Sequence, residues 1–180
     1  MNFDFLSNLH HSLPILFQEY GAGIYAGLFL VIFCETGLVI FPFLPGDSLL
    51  FTVGVIASLS QINLTVLVIL LMIAAILGDG LNYTIGHFFG KRLIGSKWIK
   101  HAYLKKAQDY FHRYGAISVV MARFVPLMRT FVPFVAGFSH MNTKRYMVYN
   151  CLGGVVWVIF FVGLGYFFPN IPFIHDWIKQ

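Results

Sequence analysis

Five ionisable side chains stand inside otherwise apolar stretches of this sequence: Glu35, Asp47, Asp79, Arg123 and Arg129. On the insertion scale each costs about 2.5–3.5 kcal/mol at the centre of a membrane helix, so all five are expected to pair or meet water. Arg123 and Arg129 are candidate phosphate binders, because a guanidinium fork matches phosphate oxygens with parallel hydrogen bonds. On a straight helix their spacing would set them about 240° apart. Pro126 lies between them, and a break there lets both converge on one cavity lined by freed backbone N–H groups. A phosphorylated lipid is the phosphate ligand most naturally met at that depth. Glu35 and Asp47 are candidate proton carriers: desolvation favours their neutral form, a neighbouring arginine their ionised form, so protonation is tied to whether a phosphate occupies the arginines. A plainer reading of the same residues is that the two acids salt-bridge the two arginines and hold the segments together. Asp79 is a secondary candidate, since it lies close to the basic pair Lys91-Arg92 and an acid there can snorkel to the membrane interface.

The elements that must position these residues follow from the apolar runs and their breaks. Residues 22–41 are apolar, and the sequence PFLPGD at 42–47 then brings two prolines and a glycine that no straight helix accommodates. Residues 48–60 are apolar but short, so 22–60 reads as a helical hairpin with its tip at 42–46. Residues 64–90 form a spanning helix. The stretch 91–113 holds seven Lys and Arg against one acid, Asp109, and reads as a cytoplasmic amphipathic helix. Residues 114–139 are apolar apart from their two arginines and are followed by Lys144-Arg145. With basic residues at both ends, this segment is expected to enter the membrane and return, turning at 126–133. Residues 146–168 span again. Each half thus has a proline-broken re-entrant hairpin (22–60, 114–139) followed by a spanning helix (64–90, 146–168), with the hairpin tips entering from opposite faces, as in inverted-repeat transporters.

Composition supports an all-α integral membrane protein built as one domain over 1–180. Of its 180 residues, 58% are hydrophobic and 11% charged, with a mean hydropathy of +0.78. One water-soluble core of this size cannot hide that much apolar surface. The twenty Phe and nine Tyr fit lipid-facing surfaces and interfacial belts. The first residues lack a basic n-region and cleavage site, so no removable leader is expected. A net charge of +5 could point to nucleic acid, but its concentration in 91–113 is accounted for by topology. Cys34 and Cys151 show neither a CxxC pattern nor Cys/His ligand spacing, which argues against a disulfide or a metal site. No cofactor is expected.

The runs FCETGLVIFPFLPGDSLLF at 33–51, GDGLNYTIGHFFGK at 78–91 and ARFVPLMRTFVPFVAG at 122–137 resemble the DedA family of bacterial inner-membrane proteins over most of the chain. The resemblance implies a multi-pass protein of the inner membrane with two opposed re-entrant hairpins. It also implies a role in carrying lipid carriers, notably undecaprenyl phosphate, back across the membrane, linked to the proton motive force. Members whose functional residues are known use two acids and two arginines at positions matching Glu35, Asp47, Arg123 and Arg129. Relatives usually continue beyond the sequence GYFF at 165–168 into another apolar helix and a basic tail, so this chain has the expected pattern of a shortened form.

Two other functions stay open at this stage. A proton-coupled exporter of small solutes or drugs would use the same acids. A membrane lipid phosphatase would use the same arginines, but no His and Asp accompany them as nucleophile and acid, and neither G-x-S-x-G nor HExxH is present, so an enzyme is not expected. The expected partners are membrane lipids, a polyprenyl phosphate and protons, with a homo-oligomer left open and no nucleic acid. The topology can be checked with single cysteines at Lys97, Lys144 and Gln61. The first two should react from the cytoplasmic side and the third from outside, and labelling of 97 and 144 from opposite sides would remove the second hairpin.

Overall fold

A computed structural model describes residues 23–38, 46–59, 63–94, 101–126 and 128–168, which are helical with short connections. In chain order the helices are α1 (Gly23–Gly37), α2 (Gly46–Leu59), α3 (Leu64–Ile94), α4 (His101–Tyr114), α5 (Ser118–Ala122), α6 (Met128–Phe138) and α7 (Thr143–Phe167). The expected tip of the first hairpin at 42–45, loop residues 61 and 62, the linker 95–100 and the tail after 168 lie outside the described residues.

The two long helices start in the same way. The Asn63 side chain accepts a hydrogen bond from the Val66 N–H (3.2 Å) and its carbonyl one from Leu67; Asn142 does the same for Arg145 (3.2 Å) and Tyr146. Each asparagine satisfies N–H groups that the first helical turn leaves unpaired. Capping by Asn142 starts α7 ahead of the expected position 146, and α3 continues past 90 to Ile94. The apolar stretches Leu64–Phe89 and Thr143–Phe167 have 26 and 25 residues, enough to cross a hydrocarbon layer of about 30 Å.

Between α4 and α6 the chain is broken repeatedly. Gly115, at φ +59°, takes the left-handed turn that ends α4, and a short 3-10 turn leads into α5. Residues 123–126 leave the helix, placing Arg123 at the end of α5 and Arg129 in the first turn of α6. Pro133 lies inside α6 instead of marking the turn, and its missing N–H removes the helical partner of the Arg129 carbonyl. The left-handed His140 (φ 52°) closes α6, with N–H groups of His140 and Met141 bonded back to Gly137 and Ala136 (both 3.0 Å).

The chain divides into two compact units. One comprises the described residues within Met1–Phe29, Pro45–Leu71 and Val158–Gln180; the other comprises those within Leu30–Leu44 and Met72–Trp157. The second unit has a core of Tyr83, Val119, Phe131, Phe134, Val135 and Tyr146, among others, against which Phe111 of α4 packs. Along α3 the outward stripe is apolar (Ile69, Ile73, Leu77, Leu81), whereas from Ala74 to Gly86 the buried stripe is small or polar (Ala74, Gly78, Asp79, Asn82, Tyr83, Gly86). That inversion of soluble-protein patterning suits a helix whose outside faces lipid.

Within each unit a short helix meets a long one through the same reciprocal contact. In the second unit a Cβ on Gly137 of α6 would strike the Tyr83 carbonyl of α3, and a Cβ on Gly86 of α3 would strike the Phe134 carbonyl of α6. In the first, a Cβ on Gly54 of α2 would strike the Val162 carbonyl of α7, and one on Gly165 of α7 the Phe51 carbonyl of α2. The crossing glycine also follows the capping asparagine at the same interval in both long helices, 63 to 86 and 142 to 165. Lipid supplies little hydrophobic drive for helix association, so backbone approach through small residues has to supply packing. Gly86→Ala should therefore lower thermal stability in detergent by about 1–3 kcal/mol. Gly80→Ala, in the same helix with nothing within 4 Å of its Cβ, should not. Equal stability of the two variants would show that the crossing is not tight.

Candidate functional site

Four of the five charged residues singled out in the sequence lie in the second unit, and they form two ion pairs. Arg129 donates to Glu35 Oε1, joining the start of α6 to the end of α1. Arg123 Nη2 lies 2.5 Å from Asp79 Oδ2, joining the end of α5 to the middle of α3. Asp79 is 2% exposed, so it serves as the counter-charge of an arginine within the protein instead of reaching for an interface. Asp47 belongs to the first unit, where it lies half-buried in the first turn of α2, a position at which an acid complements the helix dipole.

Arg123 is held in a cradle made largely by one face of α7. Its Nη2 also donates to Asn150 Oδ1 (2.6 Å), and the Asn150 amide donates to the Ile76 carbonyl of α3 (3.0 Å). One turn earlier Tyr146 donates its hydroxyl to the Asp79 carbonyl (2.8 Å). Between Asn150 and Trp157 the helix has Gly153, where a Cβ would come within 3.1 Å of Arg123 Cδ and Nε. The glycine clears a path for the arginine stem. Arg123 Nε is buried and has no hydrogen-bond partner among the described residues.

Asn82 ties the Glu35–Arg129 pair together through the backbone. It is fully buried and donates to the carbonyls of Thr36 (3.3 Å) and Thr130 (2.7 Å), the residues that follow Glu35 and Arg129. Thr36 stands in the last turn of α1, where helical carbonyls lack intrahelical partners. At Gly78, α3 lies close enough to α1 that a Cβ would strike the Thr36 hydroxyl. The two pairs also share an aromatic neighbour: the guanidinium carbons of Arg123 and Arg129 lie 5.9 and 5.0 Å from the centroid of the Trp157 ring. Both distances fall within cation–π range.

Sequence reasoning did not pick out Asn82, Asn150 or Trp157. The asparagines were open to discovery as strong hydrogen-bonding groups inside long apolar helices, whereas an isolated tryptophan in a span carries no such mark. His140 is exposed, but His87 is half-buried, stacks on Tyr83 and has its Nδ1 buried with no hydrogen-bond partner among the described residues. Among the described residues no three His, Cys, Asp or Glu side chains gather as metal ligands, and both cysteines are free thiols.

An apolar site with two arginines and two carboxylates is neutral as a whole and rich in donors, so it can accept an anion only by exchanging it for a carboxylate or by gaining protons. The pairing of Arg123 with Asp79 is open to a direct check. Asp79→Leu leaves a buried guanidinium without its carboxylate and should destabilise by about 3–5 kcal/mol, while Asp79→Leu combined with Arg123→Met should recover much of the loss. Additive losses in thermal unfolding would show that the two side chains are not coupled.

The family profile described as the VTT domain matches residues 44–167. The chain is 47% identical to Protein DedA of Escherichia coli over 181 residues, covering 98% of this chain and 83% of that protein. It is 37% identical over 164 residues to an uncharacterized membrane protein of Mycobacterium leprae, with 89% and 73% covered. It is 34% identical over 152 residues to the inner membrane protein YqjA of Escherichia coli, with 83% and 69% covered. No solved structure matches the chain at a significant level.

Proposed function

Since the chain belongs to the DedA family of VTT-domain proteins and is a multi-pass protein of the inner membrane, we propose that it carries a phosphorylated lipid, most readily undecaprenyl phosphate, across that membrane, linked to the proton motive force. The observation that carries this reading is the pair of arginines beside one indole, Arg123 buried and Arg129 partly so, each neutralised by a carboxylate from another helix. Arginine binds phosphate in two parallel hydrogen bonds, and a site walled by apolar helices selects an anion that brings its own apolar chain.

The linkage to protons follows from charge balance. A phosphate that takes the guanidiniums deprives Glu35 and Asp79 of their partners, and a carboxylate left alone in an apolar site has to gain a proton to stay neutral. Lipid entry is thereby tied to proton uptake at Glu35 and Asp79, with Asp47 as a further proton-carrying acid. In this reading the two halves act as re-entrant hairpins of an inverted repeat. The recurrence of an asparagine-capped long helix crossed by a short helix through paired glycines supports that plan.

Reconstituted vesicles with labelled undecaprenyl phosphate supply the test. The wild-type protein should move the lipid in response to a pH gradient. Glu35→Gln and Asp47→Asn should abolish the pH response in a protein that still inserts and folds. Arg123→Lys and Arg129→Lys keep the charge but lose the planar fork, and should weaken lipid binding about tenfold or more. Full binding by both lysine variants would sink the bidentate clamp, and release of inorganic phosphate from the lipid would favour hydrolysis over transport.

A further inference from the structure

The two arginines are held by unlike kinds of partner, and the difference bears on what stays available to a ligand. A carboxylate or an amide occupies N–H donors; an aromatic face compensates the charge while occupying none. Arg123 spends Nη2 on Asp79 and Asn150, while its Nε is buried with no hydrogen-bond partner among the described residues. The ring of Trp157 lies within cation–π range of that guanidinium, and the same ring lies within range of Arg129. Trp157 is fully buried and stands two turns after Asn150 on the inward face of α7, with Gly153 between them clearing the Arg123 stem.

From this geometry we propose that Trp157 is a positioning residue that holds Arg123 and Arg129 together as one two-pronged receptor for a phosphate group. The inference rests on the phosphate-binding reading above and adds to it the element that makes two separate ion pairs act on one anion. Arg123 ends α5 and Arg129 begins α6, on either side of a non-helical break, so one continuous helix does not fix their separation. Asp79 and Glu35 anchor them to different helices, α3 and α1. A rigid plane in contact with both cations sets that separation, and it continues to do so when a phosphate displaces the carboxylates, because the π face does not compete for the N–H groups. A leucine or methionine would fill the space without attracting either cation. Phenylalanine keeps a π face, with a weaker pull than indole.

Trp157 also reports on its own role. Trp98→Phe with Trp177→Phe leaves it as the sole tryptophan in the full chain. Titration with vesicles containing undecaprenyl phosphate should shift Trp157 emission saturably, vesicles with undecaprenol should not, and inorganic phosphate should give the same shift at higher concentration if the headgroup alone is recognised. In parallel, binding of the labelled lipid should weaken about threefold in Trp157→Phe and about tenfold or more in Trp157→Leu. Trp157→Phe should keep the wild-type melting temperature within a few degrees, so it remains decisive if the leucine variant fails to fold. Wild-type affinity in a folded Trp157→Phe and Trp157→Leu, or lipid binding that leaves Trp157 emission unmoved, overturns the proposal and leaves phosphate binding intact. A wild-type protein that binds undecaprenyl phosphate no better than undecaprenol overturns the phosphate reading, and the role of Trp157 with it.

Discussion

Charge neutrality inside an apolar helix cluster is the constraint on which the rest of this structure depends. Arg123 and Arg129 cannot be deprotonated at ordinary pH, so each has to be met by a negative partner or by water wherever lipid surrounds the fold. Asp79 and Glu35 supply the negative charge. Once those four side chains are fixed, other features become necessary. The chain has to leave the helix between the arginines, α7 has to lack side chains at Gly153, and the buried asparagines have to satisfy carbonyls at Ile76, Thr36 and Thr130. The low dielectric around the cluster strengthens each of these bonds and raises the cost of losing one.

Helix contacts around the cluster are made by close backbone approach instead of large apolar side chains. Phe134 and Tyr83 are large, yet it is their carbonyls that face the glycines Gly86 and Gly137. With lipid as good a solvent for leucine as another helix would be, dispersion between tightly apposed backbones and buried hydrogen bonds are the remaining sources of specificity. That the α2–α7 contact repeats the α6–α3 contact, glycine for glycine and carbonyl for carbonyl, means that one solution to this packing problem is used twice in the chain.

The sequence exposed the charges, the breaks and the prospect of Glu35 pairing with an arginine, but not the pairing of Arg123 with Asp79 in place of Asp47. Charged residues in apolar runs are conspicuous because each is costly, and Pro126 announced the discontinuity that the structure places at 123–126. The partner of Arg123 was harder to see. Asp79 stands near a basic loop in sequence, so an interfacial position accounted for it. Its depth became evident only when α3 proved to continue to Ile94 and its rotation placed Asp79 on the same stripe as Gly78, Asn82 and Gly86. That stripe of small and polar residues at helical spacing was legible in principle, since in a lipid-facing helix such residues mark the buried side. Trp157 was not legible, because in an apolar span an aromatic contacting lipid and one contacting two cations read alike.

Neutrality also bears on how an occupied site and an empty one differ. Between unit charges a few ångströms apart the attraction is about 4 kcal/mol at an effective dielectric of 20, so neither arginine releases its carboxylate without another anion to replace it. In the proposed function that replacement is the phosphate, and the displaced carboxylate recovers neutrality by taking a proton. Binding of lipid and binding of protons then favour each other by the same factor whichever is added first, which is the reciprocity required of any linked pair of ligands. No moving gate has to be invoked for that linkage to exist. It follows from placing two permanent cations and two titratable anions where water is scarce, and Trp157, which attracts the cations without neutralising them, leaves that balance unchanged.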